Sequence, residues 1–408
     1  MNAPPKNILW LIFFTNFLDM LGFGLVLPVL GFIFETDNAL FSGVYEPQRL
    51  KFLYLLLVGS YSIGTLIGAP VLGALSDKYG RRKMLMFTYS FNIFFYLVFV
   101  LGIINVSYPL LYVGRVGAGL IGASLLIVQS AIADVSKPEE KTKNFGITGI
   151  AFGLGFIIGA YLGGILTDWY GYTVPFYVSC CVTFLNFLFI IFLFKETNQH
   201  RTNKPISPLT GIQNFVKAFT NKSLRNIFFV IFLMTTSFNF LIQFYQFYVR
   251  ESFHFSKQDV GVLYAFIGLS VAFTQGVILR PLSQKCSPTQ LLSVGLFFFS
   301  IAYLLLLIPT QTSLLYFTTF IVILFQGVTF PTTLSVVSNQ ASKDVQGETI
   351  GINQAVQSAA AAFPIVIGAV MNLGYMDLEY TFPMWFGAAV TFLSWVFFMY
   401  FFVLKKGK

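Results

Sequence analysis

Twelve stretches of this sequence run for about twenty residues or more with almost no charge, and a chain built that way has few folds open to it. A helix rising 1.5 Å per residue needs about 20 apolar residues to cross a hydrocarbon layer about 30 Å thick. The runs fall at approximately 8–34, 52–76, 84–104, 109–133, 144–168, 174–194, 225–249, 258–281, 289–308, 313–337, 346–370 and 381–404. They are continuous rather than alternating, which excludes a membrane β-barrel. Only 10% of the residues are charged, where a soluble domain carries about a quarter. Too little polar side chain remains to coat a surface in water. The fold class is therefore all-α and integral to the membrane, with twelve transmembrane helices. A disordered chain, a disulfide-stapled secreted domain and an ordinary cytosolic enzyme are excluded. Three cysteines make no disulfide framework.

A net charge of +9 would ordinarily raise the question of nucleic acid, and the placement of the charges answers it. Twelve spans put both termini on one side. If that side is the cytoplasm, inner segments hold 20 of the 25 basic residues, outer segments hold 4, and Arg115 lies within a span. This five-to-one bias is the positive-inside pattern, so both termini are expected in the cytoplasm of a multi-pass protein of the cytoplasmic membrane. Basic loops facing an anionic leaflet account for the charge without nucleic acid.

The longest polar stretch, 195–224, divides the chain into an N-terminal six-helix bundle (1–194) and a C-terminal one (225–408). Internal similarity suggests duplication. Leu75-Ser76-Asp77-Lys78 reappears as Leu282-Ser283-Gln284-Lys285, and Gly146 and Gly163 align with Gly351 and Gly368 at nearly the same offset. Two pseudo-symmetric bundles with a site between them describe a transporter.

After span 2 comes Gly73-Ala74-Leu75-Ser76-Asp77-Lys78-Tyr79-Gly80-Arg81-Arg82-Lys83. A basic turn explains the cations and Gly80, but not a carboxylate among them at the membrane boundary. This stretch resembles the signature loop of the major facilitator superfamily, Gly-x-Leu-small-Asp-basic-x-Gly-basic-basic, with every key position filled. The resemblance implies a cytoplasmic gate built from Gly73, Asp77, Gly80, Arg81, Arg82 and Asp134, in which Asp77 faces the N-terminus of span 11 and Arg81 and Asp134 join the ion-pair network. Three further stretches are similar to the drug:proton antiporter branch, in a layout most like the tetracycline exporters. They are Leu18-Asp19 with Pro28 in span 1, Leu111-x-x-x-Arg115-x-x-x-Gly119-x-x-Gly122-Ala123 in span 4, and Gly155-x-x-x-Gly159-Ala160-x-x-Gly163-Gly164 in span 5. Ala160 stands where that branch has proline, which removes a helix-bending device. The tetracycline exporters' acidic and histidine residues in spans 3, 8 and 9 are absent, and Asn92 takes the span 3 position. The resemblance therefore stops short of naming tetracycline.

Asp19 lies about 16 Å from the cytoplasmic end of span 1, and Arg115 about two turns inside the outer end of span 4. A charge at the bilayer centre costs roughly 2.5–3.5 kcal/mol on insertion scales, so such residues point to function. Burial and a nearby cation act oppositely on a carboxyl's affinity for protons. That competition suits a proton-coupling pair in which Asp19 carries the proton and Arg115 tunes it. The bland alternative is that the two neutralise each other and hold span 1 to span 4. Polar lining of a substrate site is expected from Asn239, Gln243 and Gln246 on one face of span 7, from Asn353 and Gln357 on span 11, and from Asn92 and Gln129. Interhelical glue is the competing role for each amide.

No nucleophile–base or metal constellation appears, and His200 and His254 fall in loops on opposite sides, so an enzyme is not expected. There is no phosphate-binding Gly-Lys-Ser/Thr loop for ATP-driven transport. The expected function is alternating-access transport of a small organic molecule, with efflux by proton antiport as the leading form. An importer by proton symport, or an uncoupled facilitator of a metabolite or siderophore, is the alternative. No cofactor is expected beyond the proton gradient, and no partner beyond substrate and bilayer; the chain is expected to act as a monomer.

Overall fold

With no water to hydrogen-bond, backbone groups in hydrocarbon must pair within their own segment, and the apolar runs are accordingly helices. The computed structural model describes residues 8–34, 40–41, 47–122, 124–199, 201, 216, 220, 225–255, 257–341, 346–370 and 381–404. The side chains of a few of these, Pro28 and Gln246 among them, lie outside the description. In chain order the helices are α1 (Ile8–Phe32), α2 (Pro47–Tyr79), α3 (Arg81–Ile104), α4 (Tyr108–Ile121), α5 (Ser124–Val135), α6 (Lys141–Tyr170) and α7 (Val174–Phe192). They continue with α8 (Arg225–Phe253), α9 (Lys257–Phe273), α10 (Leu279–Lys285), α11 (Pro288–Leu305), α12 (Thr312–Gln340), α13 (Gln346–Val370) and α14 (Phe382–Phe398). Eleven spans among the described residues are long and apolar enough to cross a membrane. The eleventh apolar run is also helical, as α13, but carries Glu348, Asn353 and Gln357 and is not among those eleven.

Three apolar runs, among them the run at 381–404 with its π-helical end Met399–Leu404, are not the single α-helices that their hydropathy suggests. The run at 109–133 is interrupted: α4 ends at Ile121, Gly122 leaves helical geometry at ψ 28°, and α5 begins at Ser124. A Cβ on Gly122 would lie 2.6 Å from the Tyr61 hydroxyl oxygen, so glycine there makes room for that ring. The run at 258–281 contains a π-helical turn, Thr274–Ile278, between α9 and α10.

Contacts gather the chain into two compact units that do not follow sequence order. Unit 1 takes Met1–Val135, Ala151–Asn214 and Ser342–Ala355. In it α2 packs on α4, α3 on α4 and α7, and α1 on α7 and α5. Its apolar core includes Val26, Leu30, Leu50, Phe99 and Phe176, the last two stacked 4.5 Å apart. Glycines bring α6 against α1. A Cβ on Gly155 would sit 2.6 Å from the Phe17 carbonyl oxygen, and Cβ atoms on Gly159 and Gly163 would collide with the backbone of Leu21 and Leu25. Gly164 faces open space.

Unit 2 takes Ser136–Ile150, Phe215–Ala341 and Val356–Lys408. There α8 packs on α14, and α11 on α12 and α14. Hydroxyls knit these helices: Ser237 Oγ donates to Tyr303 Oη at 2.8 Å and lies 2.6 Å from Thr391 Oγ1. Outward-facing side chains such as Trp10, Trp169 and Phe192 are largely exposed, a surface suited to lipid rather than water.

Candidate functional site

Two clusters in unit 1 contain the ionisable residues singled out from the sequence. The first joins the end of α2 to the start of α3 and the start of α13. Gly80 holds φ at +99°, a left-handed geometry that lets α2 stop and α3 begin at once. The turn places Arg81 inside the protein at 0% exposure, beside Asp77 at 1%. Arg81 Nη1 lies 2.7 Å from Asp77 Oδ1, and its Nε and Nη2 donate to the two carboxylate oxygens of Asp134 at 2.9 and 3.3 Å. Asp77 also accepts the backbone N–H groups of Gly347 at 2.8 Å and Glu348 at 2.7 Å. Two carboxylates around one guanidinium leave a surplus negative charge, and the N-terminus of α13, with its partial positive charge, answers it. Gly73 allows α2 to come this close, since a Cβ there would collide with the Gly347 carbonyl.

Sequence reasoning missed the segment that follows α7. Glu196 accepts the N–H groups of Arg81 at 2.9 Å and Arg82 at 3.3 Å, capping the first turn of α3. Thr197 Oγ1 donates to Asp134 at 3.2 Å, and Asn198 Nδ2 donates to the Asp77 carbonyl at 2.9 Å. Arg82 turns away from this network and donates to the carbonyls of Ile190 and Ile191 at the end of α7. A Lys-Glu-Thr-Asn run at the end of a span was the available signal.

The second cluster lies within the helices. Asp19, half-buried on α1, accepts a hydrogen bond from Ser124 Oγ at 2.6 Å. Ser124 is the first residue of α5, so the hydroxyl that meets the carboxylate stands beside the interruption of the span. Arg115 is buried at 5% exposure on α4. Its guanidinium lies over the ring of Tyr61 at 4.7 Å and that of Phe23 at 5.9 Å. Those rings are 5.7 Å apart and link α1 to α2. Asp19 and Arg115 form no ion pair with each other, and Arg115 Nε is buried with no hydrogen-bond partner. Mutual neutralisation of the two charges is therefore not what holds α1 to α4. Tyr61, Phe23 and Ser124 were not singled out from the sequence.

The amides are dispersed over α3, α5, α8 and α13. Asn239 donates to the Thr235 carbonyl of its own helix at 2.9 Å, and Gln243 donates to the Ala361 carbonyl of α13 at 3.2 Å, an interhelical tie. The side chain of Gln246 lies outside the described residues. Asn92 is buried on α3, and Gln357 is half-buried on α13. Gln129 is buried with its amide oxygen unpartnered, and Asn353, at 1% exposure, has neither amide atom partnered. Among the described residues no group of histidine, cysteine and acidic side chains is placed to hold a metal.

The family model described as Major Facilitator Superfamily matches residues 9–364 and 227–408. The class C tetracycline resistance protein of Escherichia coli is 26% identical over 370 residues, covering 90% of each chain. Multidrug resistance protein 2 of Bacillus subtilis (strain 168) is 24% identical, covering 94% of this chain and 92% of the relative. The crystal structure of the human organic anion transporter MFSD10 superposes with a TM-score of 0.82 at 21% identity, covering 97% of this chain and 100% of that one.

Proposed function

Because the chain belongs to the Major Facilitator Superfamily, we propose that it is a proton-coupled secondary transporter that exports a small organic molecule by alternating access, with Asp19 as the coupling carboxylate. The fold is that family's twelve helices in two bundles. The observation that carries the coupling role is the partner of Asp19: a hydroxyl rather than a cation. A carboxylate locked to a guanidinium has no reason to accept a proton, whereas one held by a serine can take and release it with modest rearrangement. One proton moving through 100 mV supplies about 2.3 kcal/mol, and a pH gradient adds to that. The resistance proteins among its relatives support outward transport of drug-like molecules. On this reading the protein lies in the cytoplasmic membrane with both termini inside, acts as a monomer and needs no cofactor. The Asp77–Arg81–Asp134 cluster is its cytoplasmic gate.

The test is flux in inverted membrane vesicles under an imposed pH gradient, screened over a panel of antibiotics and dyes. Export collapses with an uncoupler, and Asp19→Asn abolishes the uncoupler-sensitive component while the protein stays folded in the membrane. An Asp19→Asn variant whose flux still collapses with the uncoupler overturns the assignment. Ala160, at the position of the antiporters' proline, favours a second reading as a symporter or facilitator. Flux of the best substrate that ignores the proton gradient selects the facilitator.

A further inference from the structure

Arg115 presents an unanswered charge. A guanidinium keeps its proton at any accessible pH, so it cannot escape burial by becoming neutral. It carries five N–H donors in a planar fork. It is 5% exposed, no hydrogen bond or ion pair to it occurs among the described residues, and its Nε is sealed from solvent without an acceptor. The faces of Tyr61 and Phe23 beside it offer electrostatic attraction, but no acceptor for the N–H groups. Asp19, the carboxylate that the sequence paired with it, is held by Ser124 instead. A buried charge left this way is costly, and an interior cation flanked by aromatic rings has the composition of a receptor for a planar anion.

We propose that Arg115, with Tyr61 and Phe23, binds the substrate, and that the substrate is an organic anion carrying a carboxylate on an aromatic or similarly flat apolar body. This rests on the transporter reading and adds the chemical class of the cargo. The carboxylate takes the guanidinium edge through paired N–H···O bonds, and the apolar body meets the two rings. Asp19, separately held by Ser124, stays available to exchange a proton while Arg115 holds the anion. A cation would be repelled from the site, and a neutral amide of the same shape would leave the guanidinium unanswered.

The probes are three molecules of one shape and different charge: 2-naphthoate, 2-naphthamide and 2-naphthylmethylamine. Purified protein in detergent is unfolded thermally with each at the same millimolar concentration, since a ligand of the native state raises the midpoint in proportion to ln(1 + [L]/Kd). The expected result is protection by naphthoate alone. In Arg115→Gln the apparent affinity falls about 30-fold or more, and in Arg115→Lys, which keeps the charge without the fork, it falls less. Equal protection by the amide or the amine overturns the proposal, as does undiminished naphthoate binding to Arg115→Gln. Protection by none of the three also overturns it, and is the outcome if Arg115 serves only as a partner for Asp19 in another conformation. The comparison among the probes uses the unaltered protein, so it stands even if Arg115→Gln does not fold. It also needs no proton gradient. Naphthoate protection together with uncoupler-insensitive flux would sink the coupling reading alone, and proton-driven export without naphthoate protection would sink this inference alone.

Discussion

An ionisable side chain among hydrocarbon is conspicuous because so little surrounds it, which is why Asp19 and Arg115 could be picked out by eye in spans whose other charges sit near the ends. Their surroundings could not. Ser124, Tyr61 and Phe23 belong to residue types that fill the spans, with 20 tyrosines and 50 phenylalanines in the chain, and nothing in one-dimensional order marks the few that reach a charge. Pairing the two charges was the natural inference from sequence. The structure divides them, giving the acid a hydroxyl and the guanidinium two rings. Ser124 therefore has a testable part as the residue that positions Asp19. A hydrogen bond to an ionised group contributes about 1.5–3 kcal/mol, so Ser124→Ala should slow uncoupler-sensitive export by about tenfold or more, with Ser124→Thr restoring most of it. Initial rates in inverted vesicles check this, with thermal midpoints measured alongside to show that the alanine variant, which loses the bond's stabilisation too, is still folded at the assay temperature. An alanine variant exporting at the original rate removes Ser124 from the coupling path.

At the level of elements, hydropathy located the helices well because burial in lipid demands long apolar runs, whatever their packing. It was blind inside those runs. Neither the interruption at Gly122 nor the π turn at Thr274–Ile278 changes the apolar count, yet the first stands beside the serine that meets Asp19. Small residues were the better guide to packing, since a glycine matters where another backbone lies against it. Gly163 and Gly164 are adjacent and differ in this respect: a Cβ on Gly163 would collide with the Leu25 backbone, and one on Gly164 meets nothing within 4 Å. Alanine is the better helix former by about 1 kcal/mol. Gly164→Ala should consequently leave stability unchanged or raise it. Gly163→Ala must push α6 from α1 and should lower stability by about 1–3 kcal/mol, the usual penalty of overpacking. Thermal unfolding in detergent measures both. A Gly163→Ala variant as stable as Gly164→Ala would show that α1 and α6 can separate at no cost.

For the molecule as a whole, two of the contacts that join the first half of the sequence to the second at helix ends match charge to dipole. Asp77 accepts the first N–H groups of α13, while Lys141 Nζ donates to the Ser338 carbonyl at 3.1 Å and hydroxyl at 2.8 Å in the last turn of α12. The signature loop announced the first of these; a lysine at the start of α6 read as one more cytoplasmic cation, because α12's carbonyl end carries no sequence mark. If the two halves of the sequence rock against each other during transport, both contacts part in every cycle, and weakening one shifts the population toward the parted state. Lys141→Met keeps the length and apolar stem of the side chain and removes the charge. A change of about 1–2 kcal/mol in such an equilibrium alters the ratio of states about 5- to 30-fold. Ser335, one turn inward from Ser338 and fully buried, reports that ratio as cysteine in a chain freed of Cys180, Cys181 and Cys286. Alkylation of Ser335→Cys by a membrane-impermeant maleimide should accelerate in the Lys141→Met background by a factor in that range. It should do so in inverted vesicles, where the cytoplasmic face meets the reagent, and not in intact cells. Unchanged labelling would show that Lys141 does not restrain the opening, and acceleration confined to intact cells would reverse the orientation drawn from the basic loops.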